Sequence, residues 1–244
     1  MLLIRSRISR NYRIPTLNEL YWQGANAEGN LDLLPEDSFN AELGVDIKLR
    51  ESKSWKFIGS ATVYHSMVNN WIQWQQSTSI WSPVNLKKVW SRGLETKLIT
   101  NYTSDLLRVD ITGAYNFTKT TNKAVIDSAN ESILNKQLTY TPLHEASFLA
   151  NIGYWKFSFS FDYSFTAKQY TEEENRDRFA LSSYQVVNLS TGYNTKFNKL
   201  DIGLIFRINN VFDESYENRR GYPMYRRNFM LELKLNFNNK HTMK

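Results

Sequence analysis

From Phe39 onward, apolar and polar residues trade places one by one. Phe39, Ala41, Leu43, Val45, Ile47 and Leu49 are interleaved with Asn40, Glu42, Asp46, Lys48 and Arg50. A period of two sends the two sets to opposite faces of an extended strand. The pattern returns at Leu107-Val109-Ile111, at Phe157-Phe159-Phe161-Tyr163-Phe165, at Leu200-Ile202-Leu204-Phe206-Ile208 and at Phe229-Leu231-Leu233-Leu235-Phe237. No stretch of similar length keeps a helical period. The sequence therefore predicts an all-β chain of about ten antiparallel up-and-down strands, over 2–10, 39–50, 54–76, 81–102, 106–118, 143–155, 156–170, 184–197, 199–210 and 226–237. Several exceed the ~5–6 residues of a typical soluble strand and reach the ~9–11 that a tilted strand needs to cross a bilayer.

The connections alternate in length. Short breaks fall at Glu51-Ser52-Lys53, Thr103-Ser104-Asp105, Trp155-Lys156 and Phe197-Asn198, and longer ones at 11–38, 77–80, 119–142, 171–183 and 211–225. Short turns on one rim and long loops on the other belong to transmembrane β-barrels, with the short turns facing the periplasm. A soluble sandwich has no reason to keep that parity. It places both chain ends at the periplasmic rim and the long loops outside. Aromatic residues gather at two levels. Trp55, Tyr102, Tyr154, Trp155, Phe197 and Phe237 lie near the short-turn ends, and Trp71, Trp90, Phe117, Phe165, Tyr184, Phe212 and Phe229 near the long-loop ends. Such belts suit the two headgroup levels.

Composition is consistent with this architecture. Mean hydropathy is −0.51, as expected where lipid-facing and lumen-facing residues alternate and average out. The net charge of +6 is scattered along the chain rather than gathered on one helix or face, so no nucleic-acid partner is expected. With no cysteine, a disulfide framework and a thiol nucleophile are excluded. The start, Met1-Leu2-Leu3-Ile4-Arg5, lacks the layout of an export signal, which points to a chain beginning inside a longer protein.

A set of ordered motifs goes further. Arg13-Ile14-Pro15-Thr16 is followed by Glu19-Leu20-Tyr21, Gly29-Asn30, Leu33, Pro35-Glu36 and Glu42. Asn70-Trp71-Ile72, Asn85 and Gly93-Leu94-Glu95 come next, then Asn209-Asn210-Val211-Phe212-Asp213 with Tyr216, Pro223 and Arg226-Arg227-Asn228-Phe229. This series resembles the barrel of TonB-dependent outer-membrane receptors. The resemblance implies a C-terminal part of a barrel of about 22 strands with a plugged lumen. It implies uptake of a scarce nutrient (siderophore-bound iron, cobalamin or a glycan), driven by TonB through a plug domain, in a Gram-negative outer membrane of lipid and lipopolysaccharide. The chain departs from the family pattern in having about half the strands, no recognisable plug or TonB box, and residues 238–244 after the terminal aromatic. The domain reading is thus 1–237 as an open partial barrel with two unpaired edges, and 238–244 as a short polar tail. A truncated gene or a fragment fits these departures.

Candidate ligand contacts lie in the outer loops. Trp71, Trp74 and Trp81, with Gln73, Gln75 and Gln76, form a hairpin tip able to stack on sugar rings, or simply the part of the hairpin standing above the membrane. Arg219 and Arg220, beside Tyr222, and Arg226-Arg227 suit an anionic ligand or lipopolysaccharide phosphates, or serve as solubilising charge. Glu172-Glu173-Glu174 with Asp177, interleaved with Arg176 and Arg178, reads as solvated loop rather than a cation site. Only three histidines occur, His65, His144 and His241, and no metal site, cofactor or catalytic residue is assigned. The alternatives are a small complete barrel acting as a passive porin, a rim-sited protease using His144, and a soluble β-sandwich lectin.

Overall fold

The computed structural model describes residues 1–51, 54–77, 79–123 and 132–237. His241 and the 238–244 tail lie outside them. Ten strands run antiparallel in chain order: β1 (Leu2–Arg13), β2 (Glu36–Glu51), β3 (Trp55–Ser77), β4 (Ile80–Thr103), β5 (Leu107–Asn122), β6 (His144–Tyr154), β7 (Phe157–Thr166), β8 (Tyr184–Phe197), β9 (Leu200–Asn209) and β10 (Asn228–Phe237). Each pairs with its sequence neighbours. No pairing joins β1 to β10 among the described residues, so the sheet is an open meander with two edges.

Pairing register turns the period-two pattern into continuous rows. Ile47, Gly59, Leu98, Gly113 and Phe148 stand side by side across β2–β6. Tyr193, Leu204 and Leu233 do the same across β8–β10. The apolar face so formed is left uncovered. On β10, Phe229, Leu231, Leu233, Leu235 and Phe237 are 51–78% exposed, and the buried apolar residues among those described are few: Leu33, Val68, Ile72, Pro83, Val89, Val186 and Val187. An exposed apolar sheet of this extent requires an apolar surrounding. The opposite face carries Glu42, Asp46, Glu95, Lys97, Asp110, Asp162 and Glu232, with cross-strand bonds such as Asn101 Nδ2 to the Asp110 carboxylate at 2.6 Å and Asn188 Nδ2 to Asp162 at 2.9 Å.

Several boundaries differ from expectation: β1 runs on to Arg13 and β2 begins at Glu36, because residues 11–13 pair with 36–38. β5 continues to Asn122 because the polar run 119–122 pairs with Val89–Arg92 of β4, a backbone contact that polar side chains do not advertise. β7 stops at Thr166. The segment after β1 holds a short helix, α1 (Leu17–Tyr21), begun by a capping box between Thr16 and Glu19. That Thr-x-x-Glu spacing was visible in the sequence. Of the two aromatic levels, the lower is built from neighbouring rings, with the exposed Trp55 4.8 Å from the half-buried Tyr102 and the exposed Phe157 5.0 Å from the half-buried Tyr193. Tyr184 leaves the upper level: it pairs with Thr166 on the polar face and stacks on Tyr216 at 4.4 Å.

Candidate functional site

The ordered motifs act as clamps on the loops. Arg13 donates two hydrogen bonds to Glu36, at 2.8 and 2.6 Å, and two more to Glu19. Glu36 is buried and also accepts the Ile72 backbone N–H at 2.8 Å. Asn85 accepts from Leu34 N–H and donates to the carbonyls of Leu34 and Asn70. Asn30 donates to the Pro83 carbonyl. A Cβ on Gly29 would sit 2.6 Å from the Leu20 carbonyl carbon, so only glycine admits the chain there. The first long segment is thereby riveted to the β3–β4 hairpin.

A second clamp closes the segment between β9 and β10. Asn210 is 3% exposed and adopts φ 53°, a left-handed conformation that asparagine tolerates. Its backbone N–H donates to Asn188, and its side chain accepts from Glu214 N–H and donates to the Glu214 and Tyr225 carbonyls. Asp213 receives a bidentate pair from Arg226 at 3.0 and 2.8 Å and the Arg227 N–H at 2.9 Å. The Arg226 guanidinium and the Arg227 N–H hold the Asp213 carboxyl well below the usual carboxylate range. A depressed folded-state value means that this clamp is complete above about pH 4 and fades only as the pH falls below that. Asp213→Asn should speed tryptic cleavage after Arg226 several-fold at neutral pH, measured on membrane-inserted protein. Equal cleavage rates would remove the clamp from the account.

The remaining loop residues interlock. Gln75 at the hairpin tip donates to Glu173 at 2.5 Å, and Asn175 exchanges hydrogen bonds with the Gln137 backbone. The acidic run is paired rather than merely solvated: Glu172 with Arg176 at 2.5 Å and Asp177 with Lys168 at 2.7 Å. Arg219 lies over the Tyr140 ring at 5.6 Å and Arg220 over Phe179 at 5.1 Å. Tyr222 is exposed, in a short ribbon opposite Arg219. The three tryptophans do not form one cluster. Trp74 pairs with Pro83 and Trp81 with Gln76 on one face of the hairpin, while Trp71, opposite Leu86, falls on the other by strand alternation. The Trp81 backbone N–H also holds the Asn26 carbonyl. No hydrogen bond or ring contact joins the tryptophans to Arg219, Arg220 or Tyr222 among the described residues.

What the sequence did not single out is a cavity of about 460 Å³ where the polar face meets the 210–227 segment. Tyr184, Asn188, Asn209 and Asn228 line it from β8, β9 and β10, and Asn210, Tyr216, Asn218 and Tyr225 from the loop. Tyr184 donates to Asn218 at 2.9 Å, and Asn209 to Asn228 at 2.8 Å. Burial, with a smaller contribution from Tyr184, raises the Tyr216 phenol above its ordinary value, which keeps it a donor. A second polar hollow, lined by Asn116, Glu145 and Ser147, adjoins it at Ser164 and Thr166. The lining is thus amides, phenols and hydroxyls around a stacked tyrosine pair. His144 lies elsewhere. It is on the apolar face, with Nδ1 2.8 Å from the Tyr115 hydroxyl, and strand alternation sends Glu145 to the opposite face.

An open wall of antiparallel strands, apolar outside and polar inside, with short turns on one rim and clamped loops on the other, is a partial outer-membrane-type β-barrel. The chain belongs to the TonB-dependent receptor-like β-barrel family, whose model matches residues 1–211. No curated protein matches it. Among solved structures it is similar to the copper transporter OprC (16% identity, TM-score 0.65, covering 95% of this chain and 36% of that one). It is similar also to the ferric enterobactin receptor PfeA from Pseudomonas aeruginosa (19%, TM-score 0.64, 95% and 38%). A third is BauA, the ferric preacinetobactin receptor from Acinetobacter baumannii (14%, TM-score 0.60, 94% and 34%). The chain therefore spans little more than a third of the length of these proteins.

Proposed function

We propose that residues 1–237 form the C-terminal barrel wall of an outer-membrane receptor that takes up a scarce nutrient, with energy reaching it from TonB through a plug inside the lumen. The observation that carries this is the amide-and-tyrosine cavity on the polar face beneath a clamped outer loop. An asparagine carries two amide hydrogens; Asn210 uses both within the loop, whereas Asn188, Asn209 and Asn228 each commit one and keep a second for a ligand, and the Tyr184–Tyr216 pair offers a ring face. These groups suit an oxygen-rich organic ligand, such as an iron chelate. Arg219, Arg220 and Tyr222, in the loop that roofs the cavity, would stand at its entrance, Trp74 and Trp81 would offer a separate stacking contact on the β3–β4 hairpin, and Trp71 would anchor that hairpin at the membrane surface. Membrane depth agrees. From Tyr102 up to Arg92 the strand runs about 33 Å at ~3.3 Å per residue, or about 25 Å along the membrane normal at a tilt of 35–45°, the height of the apolar band of such barrels.

The test is ligand binding by the receptor assembled in outer membranes, with ferric enterobactin and ferric citrate as probes. Tyr216→Ala combined with Asn188→Ala should weaken binding of the accepted chelate by at least about tenfold, since two hydrogen bonds of ordinary net strength are lost. The variant must still migrate as a folded, heat-modifiable species. Unchanged binding would move the ligand site away from this cavity.

A further inference from the structure

On β3, β4 and β5 the apolar face carries a cationic group that nothing in the uptake role uses. Arg92 stands between His65 and Lys119 in one row. Lys88, four residues before Arg92 on the same face, and Lys123 place their ammonium groups over the Trp90 ring, at 5.6 and 5.1 Å. The His65 ring meets Trp90 edge-on at 5.5 Å. By strand alternation this face of β3–β5 bears no carboxylate among the described residues; Glu95 and Asp110 belong to the polar face. No ion pair engages Lys88, Arg92 or Lys119 among the described residues.

Below that row, on the same strands, the apolar face is hollowed. A depression of about 510 Å³ is floored by Gly59, Ala61 and Gly113 and walled by Phe57, Leu98 and Tyr115. Gly59 and Gly113 have no neighbour closer than 3.9 Å to where a Cβ would be, so the floor is open space rather than tight packing. From the Leu98 row to the Arg92 row is about 20 Å along the strand. At a tilt of 35–45° this is about 15 Å along the normal, one leaflet of a hydrocarbon core ~30 Å thick. Cations and hollow are therefore one acyl-chain depth apart.

We propose that this face of β3–β5 seats one phosphorylated glycolipid of the outer leaflet, with its phosphate on Arg92, Lys119 and Lys88 and an acyl chain in the hollow above Gly59, Ala61 and Gly113. The proposal rests on the membrane placement given above. A phosphate at the boundary meets cations that have no ion-pair partner among the described residues, in a region of low dielectric where charge-assisted bonds are strong. The chain end fills a space that protein leaves empty.

The experiment uses the receptor extracted from outer membranes in mild detergent, stripped of lipid and titrated under native mass spectrometry. The probes are bisphosphorylated lipid A, the same lipid A dephosphorylated, phosphatidylglycerol and inorganic phosphate. Bisphosphorylated lipid A should bind at least about tenfold more tightly than its dephosphorylated form, given the attraction expected per basic residue at such a surface. Arg92→Ser with Lys119→Ser should erase that preference, whereas the charge-preserving Arg92→Lys with Lys119→Arg should keep it. Ala61→Leu, which fills the hollow and leaves the charges alone, should weaken lipid A binding independently. Equal binding of the two lipid A forms, full retention in the serine variant, preference for phosphatidylglycerol, or full displacement by inorganic phosphate would each overturn the site. Uptake and outer-membrane fractionation are measured on the unsubstituted receptor in parallel. Their absence would count against the receptor reading, whereas their presence without selectivity for phosphorylated lipid A would count against this site alone.

Discussion

Gly93→Ala is expected to prevent stable assembly of the wall. Gly93 stands between Tyr64 of β3 and Thr118 of β5, and the Tyr64 hydroxyl reaches across to Thr118 Oγ1 at 3.2 Å. A Cβ at position 93 would lie 2.1 Å from the Phe117 carbonyl oxygen, 2.7 Å from the Tyr64 hydroxyl and 2.8 Å from its ring. A side chain can swing away, but a carbonyl in a sheet ladder moves only if the strands part. Overpacking of this kind costs about 3 kcal/mol or more, a large share of a marginal folding free energy. The folded band should be lost, or the urea midpoint should fall sharply. Adding Tyr64→Ala relieves the ring overlap and leaves the carbonyl overlap, so the double variant should remain impaired. An unchanged midpoint in Gly93→Ala would refute the contact.

The second large effect is expected at Glu36. Glu36→Ala leaves the buried Ile72 N–H without its acceptor and takes from Arg13 the partner it holds at 2.6 Å. An unsatisfied buried donor and lost charge-assisted bonds together amount to about 3 kcal/mol. The effect is local, since the strands below keep their ladders. Hydrogen exchange at Ile72 should accelerate by roughly two orders of magnitude, and protease should reach the 14–35 segment. Glu36→Gln keeps an acceptor for Ile72 and should show only part of the change. Full protection in Glu36→Ala would mean that the segment is held by Asn30 and Asn85 alone.

Both positions were named in the sequence as family motif residues, and their reason emerged only from the structure. Gly93 matters because Tyr64 crosses it. Glu36 matters because Arg13 and Ile72 converge on it from different strands. Asn210 is comparable: the sequence shows it in an Asn-Asn-Val-Phe-Asp run, and the structure shows four hydrogen bonds closing a loop. The hairpin tryptophans went the other way. Trp71 and Trp74 are three residues apart, an odd interval that a strand sends to opposite faces, so that separation was legible in principle and was obscured by their proximity to the tip.

The sequence by itself determined the strands, their faces and the long and short rims. These depend on a period of two and on turn chemistry, which are properties of neighbours along the chain. Only the tertiary structure decided the cavity and the cationic seat. Asn188, Asn209 and Asn228 come together because β8–β9 and β9–β10 pair in one particular register. Arg92 and Lys119 come together because β4 and β5 do the same. Each is an unremarkable polar residue on its own strand. Register is set by the whole hydrophobic pattern and the turn geometry acting at once, so which residues face one another across a sheet is not written at any single position.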